Sequence, residues 1–213
     1  MKIIKLLLTL LLSVTVTLAT HQDENEEEVI RTLKQCEKDI EINKNCIYGI
    51  VYFTKENIEE ICTEYNGEKC QTFIKDPMAA LPACQSLPEE LRSTYEQLFI
   101  ISKPSMAFFC QKDENNELCP LVEHELSGNK KEKYDMDVMK AVKKTCLSKQ
   151  CKAVALNLYR VLNDSINDEE AILNEDQEVM KNNNIIRKIY QTLKSDNCTE
   201  SKNMNSENIK EYL

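Results

Sequence analysis

The chemistry available to this sequence is concentrated in sulfur. Ten cysteines, Cys36, Cys46, Cys62, Cys70, Cys84, Cys110, Cys119, Cys146, Cys151 and Cys198, are spread along the chain. An even count behind an export signal reads as a disulfide framework, here five bridges. A metal site is the competing reading. It needs closely paired thiolates or imidazoles, yet no Cys-x-x-Cys pair occurs and His21 and His124 are the only histidines. No metal and no cofactor are therefore expected. Spacing leaves the connectivity open, because ten cysteines admit about 945 pairings. One local bridge, Cys110 to Cys119 across a polar turn, is suggested by proximity in sequence.

Other reactive groups are sparse. His124, between Glu123 and Glu125, is the one candidate general base inside the fold. A base needs a positioned partner, and no nucleophile elbow, zinc-protease helix, phosphate loop or kinase motif set accompanies it. No catalytic residue is assigned, and the chain is read as a non-enzyme. The acidic run Asp113-Glu114-Asn115-Asn116-Glu117 has the composition of a calcium loop. However, Leu118 stands where an EF-hand turn requires Gly, and His124 where it requires a bidentate Glu. It is read as a polar turn. Asp135 and Asp137 form an acid pair of the kind that so acidic a chain produces by chance. Asn163-Asp164-Ser165 and Asn197-Cys198-Thr199 are N-glycosylation acceptors.

Charge is uneven. The 213 residues carry 27 Lys+Arg and 36 Asp+Glu, a net charge of −9. Between Asn129 and Lys152, however, eight lysines face three acids, a local excess of +5. Lys133, Lys140 and Lys144 share one helical face, a candidate docking patch for an anionic glycan or lipid headgroup. A solvated face balancing acidic neighbours accounts for the same run. Overall acidity speaks against general nucleic-acid binding.

Residues 1–19 carry the address. Lys2 and Lys5 precede an apolar run, Leu6 to Leu12, broken by Thr9, and Thr17 and Ala19 suit the −3 and −1 positions of a cut. Later segments are too polar to cross a bilayer, and the tail from Asn208 to Leu213 is not a lipid-anchor signal. A secreted protein without a transmembrane anchor is expected. Once the signal is removed, 25 basic and 36 acidic residues remain, a net charge of −11.

The positioning elements read as helices. Hydrophobic residues make up 42% of the chain, enough for a core. With three Gly, the chain nearly excludes nucleotide-binding loops and turn-rich β-sandwiches. Val29, Ile30, Leu33, Cys36 and Ile40 recur at steps of three and four and predict a helix over 26–44. Ile47 to Phe53 is helix or irregular. Thr54 predicts an N-cap for a helix carrying Ile58, Ile61, Cys62 and Tyr65, stopped by a left-handed Gly67. A short helix with Cys70, Phe73 and Ile74 completes an αα-hairpin. After a connector over 77–86, Ser86 and Glu89 predict a capping box for a helix through Phe99. An apolar patch over 104–110 follows. Pro120 opens a helix that Gly128 closes. Helices around Cys146 and Cys151 predict a second hairpin, with Leu147 to Gln150 as its turn. The two hairpins together hint at a duplication. Residues 168–194 place Ile172, Val179, Ile186 and Leu193 at sevenfold spacing, with a break at Asn182-Asn183-Asn184.

The stretches Cys62-Thr-Glu-Tyr-Asn-Gly-Glu-Lys-Cys70, Phe109-Cys110 to Cys119-Pro120, and Cys146-x4-Cys151 resemble uncharacterised small secreted cysteine-rich proteins of fungi. The likeness is one of spacing, over about residues 30–165. It implies export and a helical disulfide fold, and brings no activity.

The expected architecture is all-α: a compact, disulfide-stapled helical bundle built from αα-hairpins, about seven to nine helices, over residues 26–196. A short acidic segment over 20–25 precedes it, and a disordered tail over 197–213 follows. The expected role is non-catalytic binding of an extracellular protein, glycan or lipid. One alternative is a lipid carrier with a cavity lined by Phe99, Met106, Phe108 and Phe109. The other is an undescribed hydrolase. If the lysine patch docks anions, heparin should shield residues 129–152 from trypsin at low ionic strength and lose that effect as salt rises. Absence of shielding at every salt concentration would remove the anion-docking reading.

Overall fold

The computed structural model describes residues 24–48, 52–127, 134–169, 177–196 and 198, with side chains described for most of these. Nine α-helices and no strands occur among the described residues. They are α1 (Glu24–Ile42), α2 (Ile58–Asn66), α3 (Glu68–Phe73), α4 (Pro82–Gln85), α5 (Glu89–Cys110), α6 (Pro120–Leu126), α7 (Tyr134–Thr145), α8 (Lys149–Glu169) and α9 (Gln177–Lys194). A 3₁₀ turn, Lys44–Cys46, follows α1. The fold is all-α and disulfide-stapled, and all ten cysteines are bridged.

The apolar residues collect into two clusters. The first holds Cys36, Ile40, Ile47, Ile61, Tyr65, Phe73, Leu81, Tyr95, Phe99 and Met106, from α1 to the middle of α5. The second holds Ile58, Phe108, Phe109, Leu121, Val122, Val138, Val142, Leu158, Tyr159, Ile189 and Leu193, from the end of α5 to α9. Helices α2 and α5 each contribute to both. Tyr48, Phe53 and Cys110 pack against both clusters and form the seam. There the Tyr48, Phe53 and Phe109 rings stack nearly parallel, with Phe53 and Phe109 centroids 4.5 Å apart. Burial, with the Glu125 charge second, pushes the Tyr48 phenol up to about 12, so the seam stays uncharged on that ring. The Tyr48 backbone N–H donates to the buried Ser102 hydroxyl at 2.7 Å, tying the strand-like segment after α1 to α5.

The bridges join elements distant in sequence. Cys36–Cys84 ties α1 to α4, Cys46–Cys70 the 3₁₀ turn to α3, and Cys62–Cys110 α2 to α5. Cys119–Cys151 ties the start of α6 to the first turn of α8, and Cys146–Cys198 ties the end of α7 to the segment after α9. The expected Cys110–Cys119 bridge is therefore wrong. Cys110 is the last residue of α5, and α2 packs on α5, so Cys110 meets Cys62. The turn it was to close is held by backbone instead: the Asp113 N–H donates to the Glu117 carbonyl, beside an isolated Lys112–Leu118 bridge.

Local chemistry departs from expectation at several other points. Gly67 is not left-handed. Its φ is −68° and ψ 157°, extended backbone, and it caps the start of α3. A Cβ there would stand 3.0 Å from the Glu64 carbonyl oxygen, so close approach is the reason for glycine. The Ser86–Glu89 capping box does not form. Pro88 precedes α5, and the Ser86 hydroxyl donates to the Pro82 carbonyl. Helix α5 continues through Pro104 to Cys110 as one 22-residue helix, so the apolar patch over 104–110 is its second half. Pro104 has no N–H and leaves the Ile100 carbonyl without its usual helical donor. Thr54 does act as a cap, of the turn leading into α2. Its hydroxyl accepts from the Glu56 and Asn57 N–H groups, while the Asn57 side chain accepts from the Thr54 N–H.

Helix α9 runs unbroken through Asn182-Asn183-Asn184, because Ile185, Ile186, Ile189 and Leu193 pack inward and Asn183 is itself buried. The second hairpin is a corner rather than a packed pair: α7 lies on α6 and α9, while α8 packs on α5 and α9. Gly128, Ile172 and the tail over 199–213 lie outside the described residues. Cys198, however, is 3% exposed and bridged, so the stapled body reaches that position.

Cys62–Cys110 spans 48 residues and couples the two clusters. Replacing both cysteines by alanine should cost about 4 kcal/mol by loop-closure entropy, read from guanidinium unfolding. A loss under about 1 kcal/mol would mean that packing of α2 on α5 already couples the clusters without the bond.

Candidate functional site: the lysine face and its loop clasp

The sequence singled out residues that the fold disperses. With every cysteine bridged, no thiol is left as nucleophile or ligand. No group of three or more His, Cys, Asp or Glu side chains that could hold a metal occurs among the described residues. His124 lies half-buried on α6, between exposed Glu123 and half-buried Glu125. Asn163 is half-buried on α8, one turn beyond Arg160, whose guanidinium pairs with Asp164 at 3.4 Å. The Ser165 hydroxyl of that sequon donates to the Val161 carbonyl. Asn197 lies outside the described residues.

Phe99, Met106, Phe108 and Phe109 are 7%, 0%, 1% and 8% exposed. They fill the two cores, and none lines the α1–α4 groove or the concavity beside Cys46–Cys70. One concavity, of about 960 Å³, is an open groove between α1 and α4. The other, of about 470 Å³, lies beside Cys46–Cys70, where the Lys69 ammonium donates to the Ile42 carbonyl and the Asn45 amide to Glu64.

The lysine run divides. Lys133 lies outside the described residues, while Lys140, Lys143 and Lys144 are exposed on the later turns of α7. Lys140 stands 3.9 Å from Asp137. Cations near the end of a helix are favoured by its dipole, which gives Lys143 and Lys144 a local structural role. Beneath them the helix end is held from inside. Thr145 is fully buried, and its hydroxyl accepts from the Leu121 N–H at 3.1 Å, linking α7 to the first turn of α6.

The acidic run Asp113–Glu117 is the polar turn expected of it, and it has a further task. Asp113 Oδ1 accepts from the Asn115 and Glu117 N–H groups, and Asn116 takes a left-handed φ of 64°. Asparagine tolerates that conformation better than most residues. The turn so formed projects Glu114 at the start of α8. Glu114 Oε1 accepts from the Lys149 N–H at 2.8 Å and the Gln150 N–H at 3.3 Å, and the Ser148 hydroxyl accepts from the Cys151 N–H. Three of the four unpaired N–H groups of that helix start are thereby satisfied. Lys112 pairs with Glu59 of α2 at 2.8 Å, and Gln111 donates to Gln150, so the loop clasps α2 to α8. The Ser148-x-x-Cys151 spacing is a readable cap signal. Nothing local in sequence points to Glu114, which lies 35 residues away.

Hydrogen bonds from Ser148 and the backbone hold the Glu114 carboxyl below its ordinary value of 4.5. A carboxylate whose pKa is lowered by folding stabilises the fold above its ordinary pKa. That stabilisation is lost as pH falls through the lowered value. Glu114→Gln should therefore reduce the thermal midpoint near neutral pH, and the gap from wild type should close on acidification below 4.5. A gap unchanged across that range would show that the charge of Glu114 is irrelevant to the cap. Comparison of the chain with protein-family models, with curated proteins and with solved structures finds no match.

Proposed function

We propose that this chain is an exported, non-catalytic recognition protein; the resemblance to secreted cysteine-rich fungal proteins supports export and the helical disulfide fold and brings no activity. The observation that carries the reading is the combination of five long-range bridges with grooves that are open at the surface. Long-range staples suit a chain that must keep its shape outside the cell, in an oxidising medium without chaperones. They also fix surface geometry before any partner arrives, which reduces the ordering cost of binding.

The lysine face of α7 supports an anionic contact for such a protein, on a glycan or a lipid headgroup. The carrier reading has less support, since the aromatics that would line its cavity pack into the cores. No described helix is long and apolar enough to cross a membrane.

Native mass spectrometry of protein collected from the medium of a secreting host tests this. The expected species begins at Thr20, is ten hydrogens lighter than the reduced chain, and carries no stoichiometric lipid. Retention inside the cell as free thiols would overturn export. A bound lipid at one equivalent would replace recognition by transport.

A further inference from the structure

We infer that the groove between α1 and α4 is a docking site for an acidic polypeptide segment bearing an apolar anchor. The inference rests on the recognition reading above and names a partner for a surface apart from the lysine face.

The groove is built by a bridge. Helix α1 packs on α4, and Cys36–Cys84, with both sulfurs fully buried, holds their Cα atoms 4.7 Å apart at the base. Its walls are therefore set by a covalent bond as well as by side-chain packing of Leu33 and Ala83 in the first cluster. Along α1, Arg31, Lys34 and Lys38 recur at steps of three and four, which places them on one face, and all three line the groove. All three are exposed, and none makes an ion pair among the described residues. Other exposed lysines, such as Lys55, Lys75 and Lys103, are also unpaired among the described residues; what sets these three apart is that they line one groove in a row along α1. Three cations without partners face a cleft in a molecule of net charge −9.

The apolar part lies beside them. Ile30 belongs by spacing to the buried stripe of α1, yet it is 51% exposed and lines the groove with Pro82 and Ala83. A polyanionic sugar would meet the cations and leave this floor uncovered. A peptide covers both, with carboxylates on Arg31, Lys34 and Lys38 and an aliphatic or aromatic side chain on Ile30. Glu27 and Glu28 close the groove at its amino-terminal end. Like charges there cost affinity, so the acids of the ligand must lie toward Lys38 and a neutral or basic end toward Glu27. From residue 27 to residue 38 the helix rises about 17 Å, which matches about five extended residues.

The test is selection from a displayed library of random peptides, about 12 residues long, against the oxidised protein. Enriched sequences should combine two or three acids with a neighbouring Leu, Ile or Phe. The triple variant Arg31→Glu, Lys34→Glu, Lys38→Glu should bind them at least about tenfold more weakly, and Ile30→Ser several-fold more weakly, with rising salt eroding the first effect more than the second. Far-UV circular dichroism and the thermal midpoint of Ile30→Ser should match wild type. New acids at 31, 34 and 38 would stand beside Glu27, Glu28, Glu37 and Glu41, so the triple variant is read together with Arg31→Gln, Lys34→Gln, Lys38→Gln, which removes the cations without that repulsion and should weaken binding likewise. No enrichment, or enriched peptides that bind all variants equally, overturns the groove assignment and leaves the wider recognition reading standing. Full displacement by heparin together with an unchanged Ile30→Ser affinity also overturns it, since the surface would then read charge alone.

Discussion

The bond between Cys62 and Cys110 sits where the two apolar clusters meet. Residues on either side of it on α2 and α5 feed different cores: Ile58 and Phe109 one, Ile61 and Met106 the other. Each cluster taken alone is small, and small cores leave little surplus over conformational entropy. A covalent joint at the seam closes the 48-residue loop from α2 to the end of α5, and so removes freedom from the unfolded chain up to the edge of the second cluster. The stacked Tyr48, Phe53 and Phe109 rings cover the same seam, and stacking depends on the rings being held in place. The other four bridges sit two in each half, so no cluster relies on packing alone.

Bridging also explains how polar chemistry is placed. The acidic turn after α5 would be an ordinary solvated loop if its ends were free. Cys119–Cys151 brings it against the first turn of α8, where a carboxylate is worth most to an unfinished helix start. Glu114 and Ser148 then divide the helix-start N–H groups between them. A similar economy operates at Thr145, whose side chain completes another helix start from inside the core. Such long-range caps bind the orientation of neighbouring helices to their hydrogen bonding. A shift of α8 relative to the loop would break the cap and the sulfur geometry together.

Helices were legible in the sequence because the 3.6-residue period of Ile, Leu, Val and Cys is local information. Their exact joints were less so. Asn182-Asn183-Asn184 looks like a break by propensity, but Ile185, Ile186, Ile189 and Leu193 bury a face strong enough to carry the helix through. Pro104 likewise marks no boundary, since α2 and α8 pack on α5 and hold both halves in line. The pairing of cysteines was illegible for a different reason. It depends on which helices pack, and Cys110 has a nearer sequence neighbour in Cys119 but a nearer spatial one in Cys62. The α1–α4 groove was hidden for the same cause: Ile30 matches the core stripe by spacing, and Pro82 and Ala83 read as connector.

The proposed recognition role draws on the same features. Catalysis asks for reactive groups converging in a water-poor site, and that requires buried polar side chains held by their own networks. In this molecule buried Ser102, Thr145 and Ser148 each accept from a backbone N–H at a helix start or connection, and buried Ser105 donates to the Ile101 carbonyl. The cysteines are spent on each other. On the proposed reading a partner meets the surface, where helices fixed by bridges present charge and apolar area in a set arrangement. A rigid surface loses little entropy when it is covered, so modest contacts suffice for affinity. Specificity then follows from which charges lie beside which apolar floor, and that juxtaposition is what the bridge under the α1–α4 groove holds constant.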